Sequence, residues 1–341
     1  MEPEPVLSVI VPAYDAAEYL GRCLESVSGF GPRLEVVVVD DGSHDSTGAL
    51  AETFAVKQVG FKVIRQPNLG HGGAINTGLA AARGQFAKVL DADDWFDRAA
   101  LESLIEALEA LAGEEPPVDV VVTNLRRETA DQSLPTPAIR FARVLPGGRT
   151  FGWREVGRFR AREYMMLHCL TYRTGLLRET GLRLPEHSFY VDSLAAFTPL
   201  FQAERLRYLD LDLYHYLIGR PGQSVDEAVM LRRLDQQLAV CQTMMEALHA
   251  APPLEPRQRR YLVHHLKLVC LVSSSLLLRS GRPEDLRRRR EFWRDTRRLS
   301  PELHRRLRWS LLGTLANLPG PAGRRTSLIG YRWARRAAGF G

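Results

Sequence analysis

Residues 88–95 read KVLDADDW, so Asp91, Asp93 and Asp94 follow a short apolar run and precede a tryptophan. Carboxylates this close repel one another at neutral pH, and the arrangement costs free energy unless cations, hydrogen-bond donors or protons offset it. Two readings of these residues are open. One is a solvated loop with an Asp cap before the helix of RAALESLIEAL. The other is a set of hard oxygen ligands suited to Mg²⁺ or Mn²⁺, ions that neutralise the oxygens of a pyrophosphate. The segment NLGHGGAINTG at 68–78 supplies glycines that would let backbone approach such a ligand, and a helix N-terminus attracts negative charge. It is not the dinucleotide-binding fingerprint, and no phosphate loop ending in Gly-Lys-Ser/Thr occurs, which disfavours hydride transfer and ATP hydrolysis.

Residues of this kind need a scaffold, and the first part of the chain alternates strand-like with helix-like segments. VLSVIVPAY, LEVVVVDDGS, FKVIRQ, QFAKVLDADD and VDVVVTN have the apolar, β-branched character of strands, whereas AAEYLGRCLESV, DSTGALAETFA, GGAINTGLAAAR and AALESLIEALEAL have helical spacing. The alternation predicts an α/β fold with a largely parallel sheet, whose ligand site lies beyond the carboxyl ends of the strands. Polar residues stand at four of those ends: Pro12 to Asp15, Asp40 to Ser43, Gln66 to Gly73, and the DADD turn. After about residue 220 the pattern becomes helical and arginine-rich, broken at APPLEP and GRPED. The predicted domains are therefore 1–220 and 221–341.

The chain has 341 residues, 45% of them hydrophobic and 25% charged, as expected of a soluble globular protein with a sizeable core. No uninterrupted apolar run approaches the roughly 20 residues of a membrane span, and MEPEPVLSVIVP lacks the basic start of a secretory signal, so a cytoplasmic location is expected. Cys23, Cys169, Cys241 and Cys270 are scattered and read as reduced core thiols. The formal charge of +6 is unevenly placed: eight arginines face one acid between Pro301 and Gly341, which suggests an anionic partner for that end.

SVIVPAYDAAEYLGRCLESV, EVVVVDDGSHDST and NLGHGGAINTGLAAARGQFAKVLDADDW together resemble the family 2 glycosyltransferases, in the family's order and spacing from about residue 7 to 125. The resemblance implies a GT-A fold, a Rossmann-like mixed and mostly parallel sheet, within residues 1–220, and a nucleotide-sugar donor such as a UDP-sugar. It implies that Pro12, Ala13 and Tyr14 line the base pocket with Glu18 nearby, that Asp41 of VDDGS holds the uracil edge or ribose beside Asp40, and that Gly70, His71 and Asn76 contact the donor, although His71 also reads as a plain loop residue. The D-x-D pattern falls on Asp91 and Asp93 and is extended by Asp94. Asp91 is expected at the ribose, and Asp93 and Asp94 at a Mn²⁺ or Mg²⁺ ion. Asp15 stands where the family usually has Asn.

A transferase of this kind needs a general base for the acceptor hydroxyl. The family's Glu-Asp pair falls on LPEHSFYVDSLAAF, with Asp192 as the base and Val191 in place of the Glu; read without the resemblance, Asp192 is an ordinary helix cap. YMMLHCLTYRTGLL and LYHYLIGRPGQSVDE look like a bacterial subgroup of the family, which makes His168, His187, Tyr190, Tyr216, Arg220, Gln223 and Ser224 candidates for acceptor or diphosphate contacts. Arg220 would stabilise the leaving diphosphate, and Gln223 and Ser224 would order a loop closing over the donor. His168 also reads as a core histidine. The expected reaction is a single inverting displacement onto a polysaccharide, glycolipid or other hydroxyl acceptor in the cell envelope. The alternative is an inactive nucleotide-sugar-binding protein of the same fold. A sugar nucleotidyltransferase would carry a Gly-rich loop with a basic residue where this chain has PAYDAAEYL.

The C-terminal segment interleaves arginine with Trp309, Leu311, Leu312, Leu315, Trp333 and Phe340. Such composition suits peripheral contact with anionic membrane, or alternatively helices packed on the core with solvated arginines. No nucleic-acid-binding module is recognisable, and no nucleic-acid partner is expected.

Overall fold

In the computed structural model, which describes residues 4–129, 138–161, 163–219, 223, 226–318, 320 and 323–329, four strands run parallel side by side. They are β1 (Leu7–Ala13), β2 (Leu34–Asp40), β3 (Phe61–Arg65) and β4 (Phe86–Val89), in the order β3-β2-β1-β4. Every residue of β1, β2 and β4 is buried. That is why these strands read as continuous apolar runs rather than alternating ones. Helices α1 (Ala17–Ser26), α2 (Thr47–Lys57) and α3 (Gly70–Ala81) connect them. α3 lies so close to β1 that a Cβ on Gly78 would stand 2.2 Å from Ile10 Cγ2. The register pairs Ala13 with Asp40, and Asp40 with Arg65, so the carboxyl ends of β1, β2 and β3 finish in one row.

Beyond β4 the sheet becomes mixed. β5 (Trp95–Phe96), α4 (Arg98–Leu111), β6 (Val120–Thr129), β7 (Thr150–Gly152), β8 (Leu170–Arg173), α5 (Thr174–Glu179), α6 (Asp192–Ala195) and β9 (Arg205–Ile218) complete this part. The full order is β3-β2-β1-β4-β8-β6-β9-β5, with β7 on β9. β8 is antiparallel to both β4 and β6, so β6 runs in the direction of β4 with β8 inserted between them. The expected helix cap is Asp97, whose carboxylate accepts the Ala100 N–H at 2.8 Å. α4 then buries Leu101, Leu104, Ile105, Leu108 and Leu111 on one face.

The chain divides into two compact units, Met1–Gly157 with Met165–Leu217, and Arg158–Tyr164 with Ile218–Gly341. The second unit is built on α7 (Glu227–Arg232), α8 (Leu234–Ala250), α9 (Pro256–Arg279), α10 (Pro283–Leu299), α11 (Pro301–Arg308) and α12 (Leu311–Ala316). α8, α10, α11 and α12 all pack on α9. α9 is long and apolar enough to cross a membrane, yet most of its apolar stretch is buried, as befits the central helix of a helical unit. Cys241 and Cys270 meet in this core with their sulfurs 3.1 Å apart, and all four cysteines are buried and reduced.

At the amino end of the parallel strands a buried carboxylate ties the scaffold together. Glu35 of β2, only 2% exposed, accepts hydrogen bonds from Ser8 Oγ of β1 at 2.5 Å, Lys62 Nζ of β3 at 2.9 Å, and Arg83 N and Nε at 2.8 and 2.9 Å. Burial alone would raise its pKa, but these donors outweigh it and lower the carboxyl to about 2. Its stabilisation is therefore fully present above the ordinary carboxyl pKa of 4.5 and is lost as pH falls towards 2. Glu35→Gln should lower the unfolding free energy at neutral pH by about 3 kcal/mol and flatten the loss of stability between those pH values in denaturant titrations. An unchanged acid limb would show that Glu35 does not carry this linkage.

Candidate active site

The turn after β4 is held from behind by β9. The short β5–β9 pairing sets Phe96 opposite Tyr214, and the Tyr214 hydroxyl comes to rest inside the acidic turn. Its oxygen accepts the Asp91 N–H at 3.1 Å and its proton is donated to Asp94 Oδ2 at 2.7 Å. The other Asp94 oxygen accepts the Leu217 N–H at 2.8 Å. Asp94 is buried, and its pKa is driven well above the usual carboxyl range, first by loss of solvent and then by the neighbouring Asp93 and Asp91. Of the acidic turn, Asp94 thus faces inward while Asp91 and Asp93 are half-buried.

The antiparallel insertion of β8 explains the next contact. Because β8 starts where β4 ends, the 3-10 turn Leu167–Cys169 lies beside the acids, and His168 Nε2 stands 3.3 Å from Asp91 Oδ2. The His168 ring is lodged between Tyr214 and Tyr216, both at 4.9 Å. Burial, and then the surrounding Asp94, Asp91, Asp192 and Asp93, push the Tyr216 phenol well above its ordinary pKa, so it stays protonated. Lys88, a buried residue of β4, fixes the same turn by donating to the His168 and Leu170 carbonyls at 2.7 and 3.2 Å. Burial lowers its pKa to about 7.

Asp192 arrives from a distant part of the chain because residues 184–187 are stitched to α3. The Asn76 amide forms a reciprocal pair with Leu184, donating to its carbonyl and accepting from its N–H, each at 2.9 Å. The His187 N–H donates to Leu69 O at 2.8 Å. The glycines make this approach possible: a Cβ on Gly70 would stand 2.8 Å from His187 backbone, and one on Gly72 2.4 Å from Pro185 O. Gly70 also has φ +76°, and Tyr190, just before Asp192, is held at φ +67°. The side chain of Asp192 does not cap α6. Instead its Oδ1 meets His71 Nε2 at 3.1 Å, and the same nitrogen stands 3.6 Å from Asp91 Oδ1. Burial would lower the His71 pKa, but the bond to Asp192 and the charges of Asp91, Asp192 and Asp93 raise it to about 9. A cationic imidazole therefore sits between two carboxylates.

The other sequence-predicted residues are distributed as follows. Pro12 and Ala13 are buried at the end of β1, Tyr14 is 45% exposed beside His44, and Glu18 is exposed on α1. Asp15 has φ +45°, a conformation that Asp and Asn tolerate best, and its Oδ1 accepts the His44 N–H at 2.7 Å. Asp41 is buried, with Oδ1 accepting from Gln66 Nε2 at 2.7 Å and Leu69 N at 2.8 Å; it shapes the loop that enters α3. Val191, in the place of the family's Glu, is fully buried. Gln223 belongs to the second unit, where its side-chain oxygen accepts the Gly219 N–H at 2.8 Å. Arg220 and Ser224 lie outside the described residues. Lys88 and Tyr214 were not found by sequence reasoning, because a lysine inside an apolar strand and a tyrosine in an alternating strand carry no local sign of what they touch.

Among the described residues, two sets of side chains offer ligand atoms within 4.8 Å of one another: His71, Asp91 and Asp192, and Asp91, Asp94 and His168. Carboxylate oxygens with imidazole nitrogens suit Mn²⁺ and related ions. Asp91 belongs to both sets, whereas the sequence pointed to Asp93 and Asp94. Asp93 belongs to neither, and a metal at Asp94 would compete with Tyr214 and Leu217. The arrangement therefore fits a divalent cation centred on Asp91, which at the first set would have to displace the proton of His71. Tyr214→Phe, which removes both hydroxyl links, should lower the unfolding free energy by about 1–3 kcal/mol in denaturant titration. A variant as stable as the parent would show that the hydroxyl does not hold the turn.

Comparison with known proteins agrees with this geometry. Residues 8–177 match glycosyl transferase family 2. A Bacillus subtilis protein provisionally named glycosyltransferase EpsH is 27% identical over 79% of this chain and 77% of its own length. Among solved structures, residues 1–349 of S. aureus TarS, determined also with UDP and with UDP-GlcNAc, superpose with a TM-score of 0.67 at 21% identity, over 97% of this chain and 90% of that one. A mannosyltransferase of Pyrobaculum calidifontis, solved with GDP-Man and Mn²⁺, gives a TM-score of 0.54 at 17% identity, over 98% of this chain and 88% of that one. These structural likenesses show the shared GT-A fold. With the family's motifs arrayed along one sheet edge and the sequence match across residues 8–177, the chain belongs to the family 2 glycosyltransferases and is a glycosyltransferase.

Proposed function

We propose that this enzyme moves a sugar from a nucleotide diphosphate donor, a UDP-sugar, to an acceptor hydroxyl with inversion at the anomeric carbon, in the synthesis of cell-envelope polysaccharide or glycolipid. The UDP-GlcNAc complex of TarS supports the donor class, and the GDP-Man and Mn²⁺ complex of the Pyrobaculum enzyme supports a divalent cation. In this reading residues 1–220 are the catalytic domain and 221–341 a helical region. Pro12, Ala13 and Tyr14 receive the base beside the loop shaped by Asp41, and His71 stands on the donor side, whereas Gly70 and Asn76 are taken up by the backbone of residues 184–187. A nucleotide-sugar donor favours the cytoplasm as the place of this reaction.

The observation that carries the proposal is the bridge from His71 to Asp192 and Asp91 at 3.1 and 3.6 Å. It unites the candidate base with the donor-side acids. Asp192 is 39% exposed, so its carboxylate is accessible to an acceptor while His71 fixes its orientation. It would take the acceptor proton as the acceptor oxygen attacks the anomeric carbon and the nucleoside diphosphate leaves on the opposite face. One displacement of this kind converts an α-linked donor into a β-linked product. Asp91, the acid common to both clusters, would hold Mn²⁺ or Mg²⁺, and the bound ion would neutralise charge on the diphosphate.

Asp192→Asn keeps the side chain's shape and removes its basicity. Transfer should fall by about 10²–10⁴-fold with donor affinity nearly unchanged, measured by product formation and by calorimetry. Unaltered turnover would remove Asp192 from the mechanism. Donor binding by the parent protein with no transfer to any envelope-type acceptor would favour the binding-protein alternative.

A further inference from the structure

The arginine-rich end is not uniformly solvated. In the RRRR run of α10, Arg288 is paired with Asp285 at 3.1 Å and with Asp235, and Arg289 turns inward to Ser274 and the Ala316 carbonyl, each at 2.9 Å. Arg287 and Arg290 stay exposed, and so do Arg294 and Arg297 one and two turns on. These positions follow the spacing i, i+3, i+7, i+10, so the four guanidinium groups form one stripe roughly 15 Å long. Asp285, Trp293 and Thr296 are buried on the other side of the helix. Arg298 is matched to Asp295 at 3.3 Å, but among the described residues no carboxylate pairs with the four stripe arginines.

The next helix repeats the pattern with an aromatic added. α11 buries Leu303 and Leu307 and directs Arg305, Arg306 and Trp309 to the opposite face. Trp309 is 63% exposed, with the Arg308 guanidinium 4.9 Å from its ring. Further along, Leu315 and Ile329 are 48% and 54% exposed. A soluble polyanion would be met by charge alone and gives no reason to leave a tryptophan, a leucine and an isoleucine in water. An anionic bilayer surface uses both, because arginines meet the headgroups while Trp and aliphatic side chains enter the interfacial layer.

We infer that the exposed faces of α10 and α11, with Trp309 as the apolar anchor, form a docking surface for an anionic lipid bilayer. The inference goes beyond the proposed reaction and stands or falls separately from it, since its readout is lipid binding and not transfer. The full chain is sedimented with vesicles of phosphatidylcholine alone or with about 30% phosphatidylglycerol, at about 0.1 M and about 0.5 M salt. Binding is expected only to the anionic vesicles and only at the lower salt. The quadruple variant Arg287→Gln, Arg290→Gln, Arg294→Gln, Arg297→Gln should reduce partitioning at least about tenfold, and Trp309→Ala should reduce it several-fold at unchanged salt dependence. Since all five side chains are exposed, the variants should keep the parental unfolding midpoint. Absence of binding to anionic vesicles by the parent chain, equal binding by the quadruple variant, or capture by soluble polyphosphate with no vesicle binding would each overturn the inference.

Discussion

The imidazole of His71 stands between Asp192 and Asp91, 3.1 Å from one carboxylate and 3.6 Å from the other, and much of the surrounding structure serves that juxtaposition. Bringing acids from residues 91–94 and 192 together is opposed by their repulsion, most strongly where solvent is excluded. Three local arrangements offset it. Asp94 is withdrawn onto the Tyr214 hydroxyl and the Leu217 N–H, Asp91 is approached by His168, and His71 supplies a positive charge where the two segments meet. Each of the three partners comes from a different element, so the acids can share a rim only when α3, β8 and β9 are all in place.

The sheet topology explains why those elements are available. β8 enters antiparallel between β4 and β6, which brings the start of β8 to the end of β4 and puts His168 against the acidic turn. Lys88 then bonds two carbonyls of the same junction from inside β4. At the opposite end of the parallel strands, Glu35 ties β1, β2, β3 and the turn after α3 to one another. A polar hub at one end of the strands thus fixes the register on which the position of the reactive end depends.

Much of the fold was legible in the sequence because it is written in local periodicity. The buried strands of β1 and β2, the amphipathic α4 with its Asp97 cap, and the helical character after residue 220 all follow from runs and spacing. The place of the acids at strand ends was equally legible. What the glycines of NLGHGGAINTG approach was not: they admit residues 184–187 of the protein itself, and Asn76 is spent on Leu184 backbone. Those partners lie more than 100 residues away, and no local pattern encodes such a contact. The inward turn of Asp94 was hidden for the same reason, since the donors that hold it come from β9. The RRRR tetrad shows the limit in another form, because composition gives four cations whereas helix geometry turns Arg289 inward, pairs Arg288 with carboxylates and leaves two to solvent.

A metal-assisted nucleotide-sugar site built from these acids and His71 can be probed by calorimetric titration of UDP-GlcNAc and related UDP-sugars into the full chain, with and without Mn²⁺. At least one UDP-sugar should bind saturably, strongly with Mn²⁺ and much more weakly without it. Folded protein that binds no UDP-sugar, or binds one equally well with the metal removed, would rule out such a site.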